Sequence, residues 1–225
     1  MGKQNREEGL IAAGVLVSLS YLATLFIEAP FPIEPAWKAS GILLLAAYAF
    51  LRGAPITGAG LLASAAGDVA LALRPPVFVA GMALFGLAHL FYIAAFITRI
   101  RRGGLNTRYL WAGLAIALIS ALLAQWFLPD MGPLLAPGLA YQTIITVMVM
   151  SALLSPAPRM ARFGALLFML SDTLIALGLY KNIAAPPGSI WLTYAAAQAM
   201  IAFALAEREE ETAGVVSRNA AAPQN

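Results

Sequence analysis

Long apolar stretches alternate with short breaks of proline, glycine and charge along this chain, and neither the breaks nor the stretches follow a two-residue period. The pattern predicts helices of spanning length over about 9–27, 36–51, 55–73, 78–98, 109–128, 134–154, 159–180 and 188–206. Each break has a chemical cause. Pro30, Pro32 and Pro35, the Arg52-Gly53-Ala54-Pro55 turn, Pro75-Pro76, the loop from Pro129 to Pro133, Pro156 with Pro158, and Pro186-Pro187-Gly188 remove backbone donors or favour turns. The predicted fold is all-α: a polytopic transmembrane bundle of eight helices forming a single domain over residues 1–206. Residues 207–225 are polar and predicted to be a disordered cytoplasmic tail.

Composition agrees with the pattern. The chain is 61% hydrophobic and 11% charged, with a mean hydropathy of +0.80, outside the range of ordinary soluble domains. Lys3 and Arg6 precede the first apolar run as they would in a signal peptide, but that run exceeds the roughly 7–15 residues of such a core, so it reads as a helix.

Charge then orients the bundle. If the spans alternate in direction, Lys38, Arg74 and Lys181 fall on one side and the other eleven of the 14 Lys and Arg on the side of both termini. Basic loops stay cytoplasmic, so both termini are predicted inside, in a membrane of the bacterial inner (cell) membrane type. The run Arg99-Ile100-Arg101-Arg102 is a loop of this kind rather than a nucleic-acid site.

Against this apolar background, Asp68 and Asp172 are the carboxylates inside spanning segments. An ionised side chain in hydrocarbon costs several kcal/mol, roughly 2.5 upward, so such groups face a protein interior and mark sites. Alternation places Asp68 about 8 Å and Asp172 about 12 Å below the outer ends of their helices. Lys38, Tyr141, Tyr194 and Gln198 fall in the outer halves of their spans, and His89 near the midplane. The polar groups therefore converge toward the outer side.

The two aspartates sit in matching settings. An offset of 104 aligns Gly60 with Gly164, Asp68 with Asp172, Ala72 with Ala176 and Leu73 with Leu177, and sets Lys38 against Gln142 and His89 against Thr193. This reads as a parallel duplication of a four-helix unit, 9–98 and 109–206, whose halves would enclose one cleft. Helical spacing groups Gly60, Ser64, Gly67 and Asp68 on one side of the third helix, and Gly164, Phe168, Ser171 and Asp172 on one side of the seventh. It also groups Gly81, Phe85, His89 and Tyr92 on the fourth, and Trp191, Tyr194, Gln198 and Ile201 on the eighth. Trp37, Trp111, Trp126 and Trp191 lie near helix ends and read as interfacial anchors.

At these positions the chain resembles the YhhN-type lysoplasmalogenase family of polytopic membrane proteins. The resemblance rests on Gly60-x3-Ser64-x2-Gly67-Asp68-x2-Leu71, Phe78-x2-Gly81-x3-Phe85-x3-His89-x2-Tyr92, Gly164-x2-Leu167-Phe168-x2-Ser171-Asp172-x3-Ala176 and Thr193-Tyr194-x2-Ala197-Gln198, in that order. One departure is Lys38-Ala39, where the family tends toward Lys-Pro. The resemblance implies hydrolysis of the vinyl ether bond of lysoplasmalogen to a fatty aldehyde and a glycerophospho-alcohol, with a membrane lipid as the partner and no cofactor.

Such a reaction needs an acid and a nearby negative charge. Two carboxylates meet that need as they do in glycoside hydrolysis. Asp68, Asp172 and His89 are the candidate catalytic residues; Lys38, Ser64, Tyr92, Tyr141, Ser171, Tyr194 and Gln198 are candidates for substrate binding, with Lys38 placed to hold the lipid phosphate. One histidine and no cysteine cannot build the usual nitrogen- or sulfur-rich zinc site, so no metal is expected. The absence of Gly-x-Ser-x-Gly argues against a serine triad. A proton-coupled transporter is the rival reading, since carriers also use duplicated halves and buried acids, and it predicts helices broken near the midplane. A non-catalytic scaffold is the third.

Overall fold

The computed structural model describes residues 3–206; the predicted tail, with Arg208 and Arg218, lies outside the described residues. Eight α-helices occur among them and no strands: α1 (Lys3–Ser20), α2 (Ile33–Leu51), α3 (Pro55–Ala72), α4 (Phe78–Gly103), α5 (Leu110–Phe127), α6 (Leu135–Leu154), α7 (Arg159–Lys181) and α8 (Ser189–Ala206). A short 3-10 turn, Tyr21–Leu25, extends α1.

Local chemistry sets the ends. Pro55 opens α3 in the first turn, where its missing N–H has no helical partner to lose. At the end of α7, Asn182 takes a left-handed conformation (φ 54°) and the Ile183 N–H closes the helix on the Leu177 carbonyl at 3.1 Å. The last carbonyls of α8 are met by side chains: Arg99 Nη2 donates to Leu205 O at 2.7 Å and Arg52 Nε to Ala206 O at 3.3 Å. Two of the basic residues at this end of the bundle thus hold its helices together.

Seven helices are long and apolar enough to cross a membrane. The exception is α2, whose first turns contain Glu34, Pro35 and Lys38. It is nonetheless as long as its neighbours and packs between α1, α3 and α8, burying Ile42, Leu45, Ala46 and Ala49. Its polar start belongs to the site described below.

Packing runs in order through α1, α2, α3 and α4, and again through α5, α6, α7 and α8. The two runs meet chiefly through α2 on α8 and α4 on α6, with α8 also touching α1 and α3. Small residues allow these approaches. A Cβ at Gly60 would lie 2.6 Å from the Tyr92 ring, one at Gly67 2.8 Å from Phe85, and one at Gly164 3.0 Å from the Ala197 carbonyl. The aromatic side chains of α4 are therefore seated in the glycine notches of α3. On the opposite flank α5 packs mainly on α6 and leaves Leu118, Leu122 and Trp111, the last 79% exposed, on the outside of the bundle, as a lipid-facing helix should.

Candidate active site

Odd-numbered helices end, and even-numbered helices begin, at the face of the bundle opposite the start of α1 and the end of α8. There the helices part around a cavity of about 350 Å³ lined by both Asp68 and Asp172. Lys38, Tyr141, Ser171 and Tyr194 line it too, among apolar side chains from Leu22 and Leu71 to Phe127 and Ile145.

Asp68, in the last turns of α3, is 2% exposed. A bare carboxylate there would be costly, and two neighbours compensate it. Tyr194 Oη of α8 donates to Oδ2 at 2.6 Å, and Lys38 Nζ of α2 stands 3.7 Å from Oδ1. Asp172 sits deeper along α7, its side chain 16% exposed. Tyr141 Oη of α6 donates to its Oδ2 at 2.6 Å, and His89 Nε2 of α4 is 3.5 Å from the same oxygen. Because Tyr141 directs its proton to Asp172, its oxygen is the acceptor in the 3.1 Å contact with His89 Nε2, which makes Nε2 the donor. His89 Nδ1 is buried and has no hydrogen-bond partner among the described residues.

Each carboxylate thus has one partner from the second helix of its own run of four and one from the fourth helix of the other run. Lys38 and Tyr194 serve Asp68; Tyr141 and His89 serve Asp172. The arrangement repeats with different residue types, a cation and a phenol on one side, a phenol and an imidazole on the other.

The remaining candidates form a layer behind the cavity wall. His89 is fully buried, touches the Phe168 ring edge-on with centroids 4.6 Å apart, and reaches Asp172 directly and through Tyr141. Tyr92 Oη donates to Gln198 Oε1 at 2.7 Å, and Ser64 lies against Tyr92. Ser171 lines the cavity but directs its hydroxyl to the Ile190 carbonyl at 2.9 Å.

Several wall residues escaped the sequence reading. Trp191, expected as an interfacial anchor, is 8% exposed; its Nε1 donates to Ser18 O at 2.6 Å, and Lys38 Nζ stands 5.8 Å from its ring centroid. It occupies the face of α8 that carries Tyr194, and that shared face was the available signal. Tyr21, between α1 and α2, also lines the cavity, 3.4 Å from Glu34, which is paired with Arg74 at 2.6 Å. No group of three or more His, Cys, Asp or Glu close enough to hold a metal ion occurs among the described residues.

The sequence model of the YhhN family matches residues 33–205, which span α2 to α8 and every candidate residue above. The chain belongs to the YhhN family. Two curated relatives, each named lysoplasmalogenase, from Mycobacterium tuberculosis (strain CDC 1551 / Oshkosh) and Mycobacterium bovis, are 35% identical over 184 residues, covering 75% of this chain and 69% of theirs. Human lysoplasmalogenase TMEM86B is 37% identical over 146 residues, 63% of this chain and 59% of its own. No solved structure matches. YhhN membership and the seven apolar helices make this an integral membrane protein. The family match begins at the start of α2, so Tyr21 and the rest of the wall contributed by α1 and its 3-10 extension lie outside it.

Proposed function

We propose that this YhhN-family chain is a membrane hydrolase that cleaves the vinyl ether bond of lysoplasmalogen-type lysophospholipids to a fatty aldehyde and a glycerophospho-alcohol. The observation that carries the reading is a single cavity, enclosed by membrane-crossing helices, into which both Asp68 and Asp172 are brought. The name borne by the relatives contributes the substrate class, and the cavity contributes a place for acid and base.

In this reading one aspartate, as the carboxylic acid, transfers its proton to the vinyl carbon remote from oxygen. The π pair forms that C–H bond and leaves an oxocarbenium ion at the carbon bearing oxygen. The partner carboxylate offsets the developing positive charge and accepts a proton from the water that adds there. The resulting hemiacetal gives its hydroxyl proton to the first aspartate, now a carboxylate, and its C–O bond to the glycerol oxygen breaks as the second aspartate returns the water's proton to that oxygen and the aldehyde forms. One water is consumed and both carboxyl groups return to their starting states. Tyr194 and Tyr141 fix the carboxylates, His89 backs the second, and Lys38 serves both Asp68 and the lipid phosphate. The basic loops at the opposite face orient the cavity mouth outward, and the two runs of four helices are read as duplicated halves.

Aldehyde release from a vinyl ether lysolipid by the detergent-purified protein tests the proposal, with the saturated ether as control. A folded protein that releases none from several head groups rules it out. The carrier reading predicts helices broken near the midplane, and α3 and α7, which hold the acids, are unbroken. Tyr194→Phe is expected to lower kcat by about ten-fold or more, the loss of a hydrogen bond to a charged group being worth roughly 1.5–3 kcal/mol. Steady-state kinetics at saturating lysolipid check this.

A further inference from the structure

Gln142 lines the cavity on α6, yet the acid pair makes no use of it. Its amide is held from behind. Nε2 donates to the Ser120 carbonyl of α5 at 2.7 Å and lies 3.3 Å from Ser120 Oγ. Ser120 Oγ is 2.6 Å from Thr146 Oγ1, and Thr146 Oγ1 donates to the backbone carbonyl of Gln142 at 2.7 Å.

These contacts determine every proton. Thr146 directs its hydroxyl hydrogen to the Gln142 carbonyl, so the hydrogen between the two hydroxyls belongs to Ser120. Ser120 Oγ is then an acceptor toward the amide, and the group facing it must be the NH2. The side-chain oxygen Oε1 is left turned away from α5, on a side chain that lines the cavity. Unsatisfied polar groups within membrane-spanning helices are expensive, so such a ring is tolerated when complete. Here it is complete, and it fixes the direction of one carbonyl oxygen.

Leu123 and Phe127 of α5 and Gly138 and Ile145 of α6 line the same cavity. An amide oxygen accepts and cannot donate, so it is matched to a hydroxyl and not to a phosphate. Gln142 follows Tyr141, whose oxygen is 2.6 Å from Asp172 Oδ2. In a glycerol lysolipid the free secondary hydroxyl is on the carbon next to the one bearing the ether oxygen. A ligand with its ether bond at the acid pair therefore carries that hydroxyl beside the reacting atoms.

We propose that Gln142 Oε1 accepts a hydrogen bond from the free secondary hydroxyl of the bound lysolipid, making Gln142 the residue that selects single-chain lipids with this hydroxyl over those in which it is missing or esterified. This rests on the lysophospholipid reading of the cavity given above. Ser120 and Thr146 are positioning residues for it.

Two ligands test it in the purified full-length protein: a saturated 1-alkyl lysophospholipid, which cannot be hydrolysed, and its 2-deoxy counterpart. The parent is expected to bind the hydroxylated ligand about five- to ten-fold more tightly, the scale of one neutral hydrogen bond. Gln142→Leu should bind the two equally, by weakened affinity for the hydroxylated ligand. Ser120→Ala removes only the 3.3 Å hydroxyl contact and keeps the backbone carbonyl that holds Nε2, so most of the preference should survive it; Gln142→Met, close in volume and without an amide, should bind the two ligands equally and provides the test if the leucine variant does not fold. The matching pair of vinyl ether substrates should show the same pattern in kcat/KM. A preference that persists in folded Gln142→Leu overturns the proposal, as does a parent without preference. Equal slowing of both substrates with the preference intact also overturns it, since that would make Gln142 a partner of water instead. The binding arm needs no turnover, so failure of the hydrolase reading would appear as absent aldehyde and failure of this one as absent discrimination.

Discussion

Asp68→Asn and Asp172→Asn should each lower aldehyde release by about 10²–10⁴-fold, the range for removal of a positioned acid or base. Asparagine keeps the shape and an acceptor oxygen, so Tyr194 and Tyr141 retain partners at 2.6 Å and the helices have little reason to move. The melting temperature in detergent should therefore change far less than the rate. Because the two carboxylates are proposed to act in one proton cycle, the double variant should be little worse than either single one. Asp130→Asn is the matched control. That carboxylate lies in the connection between α5 and α6, 45% exposed, and pairs with Lys181 at the surface, where an ion pair is worth about 0–1 kcal/mol. Turnover should be unaffected. Wild-type turnover in either Asp68→Asn or Asp172→Asn, with the lysolipid saturating, would remove the pair from the mechanism.

How the acids come together was written partly in the sequence. Proline placed the breaks, and once eight helices alternate in direction, the end of α3 and the start of α8 must lie at the same face. The start of α2 was less transparent. Three prolines at 30, 32 and 35 read as one break, but Pro35 fits inside the first turn, where no helical hydrogen bond is lost, and the helix begins at Ile33. Partner choice was out of reach. Nothing in the local pattern says that Asp68 takes its phenol from Tyr194, 126 residues away, while Asp172 takes one from Tyr141. The tryptophans show why: Trp111 and Trp191 both lie near helix ends in apolar sequence, yet one faces outward and the other forms the cavity wall. The difference is made by α1 and α2 closing over α8, a tertiary event. Gln142 was noticed only as the counterpart of Lys38 under the repeat. Its orientation depends on Ser120 of a different helix.

Gly41→Ala is expected to destabilise the protein by about 1–3 kcal/mol, the usual cost of overpacking a close contact, and to lower activity through the cavity wall. The added Cβ would lie 2.2 Å from Ser18 Oγ, 2.6 Å from Ser18 N and 2.9 Å from Ser18 Cα. The hydroxyl can rotate away, but the backbone atoms cannot, so α1 must move off α2. That movement would carry the Ser18 carbonyl from Trp191 Nε1, which it now meets at 2.6 Å. Trp191 lies beneath Lys38, and Lys38 is the cation beside Asp68. A single methyl at the α1–α2 contact is thus expected to reach the acid pair through three successive neighbours, Ser18, Trp191 and Lys38. Gly9→Ala, in the same helix α1 but with nothing within 4 Å of the new Cβ, should leave both stability and turnover as they are. Thermal unfolding in detergent alongside aldehyde release separates the two variants. If Gly41→Ala melts with the parent and turns over normally, α1 does not brace the cavity wall.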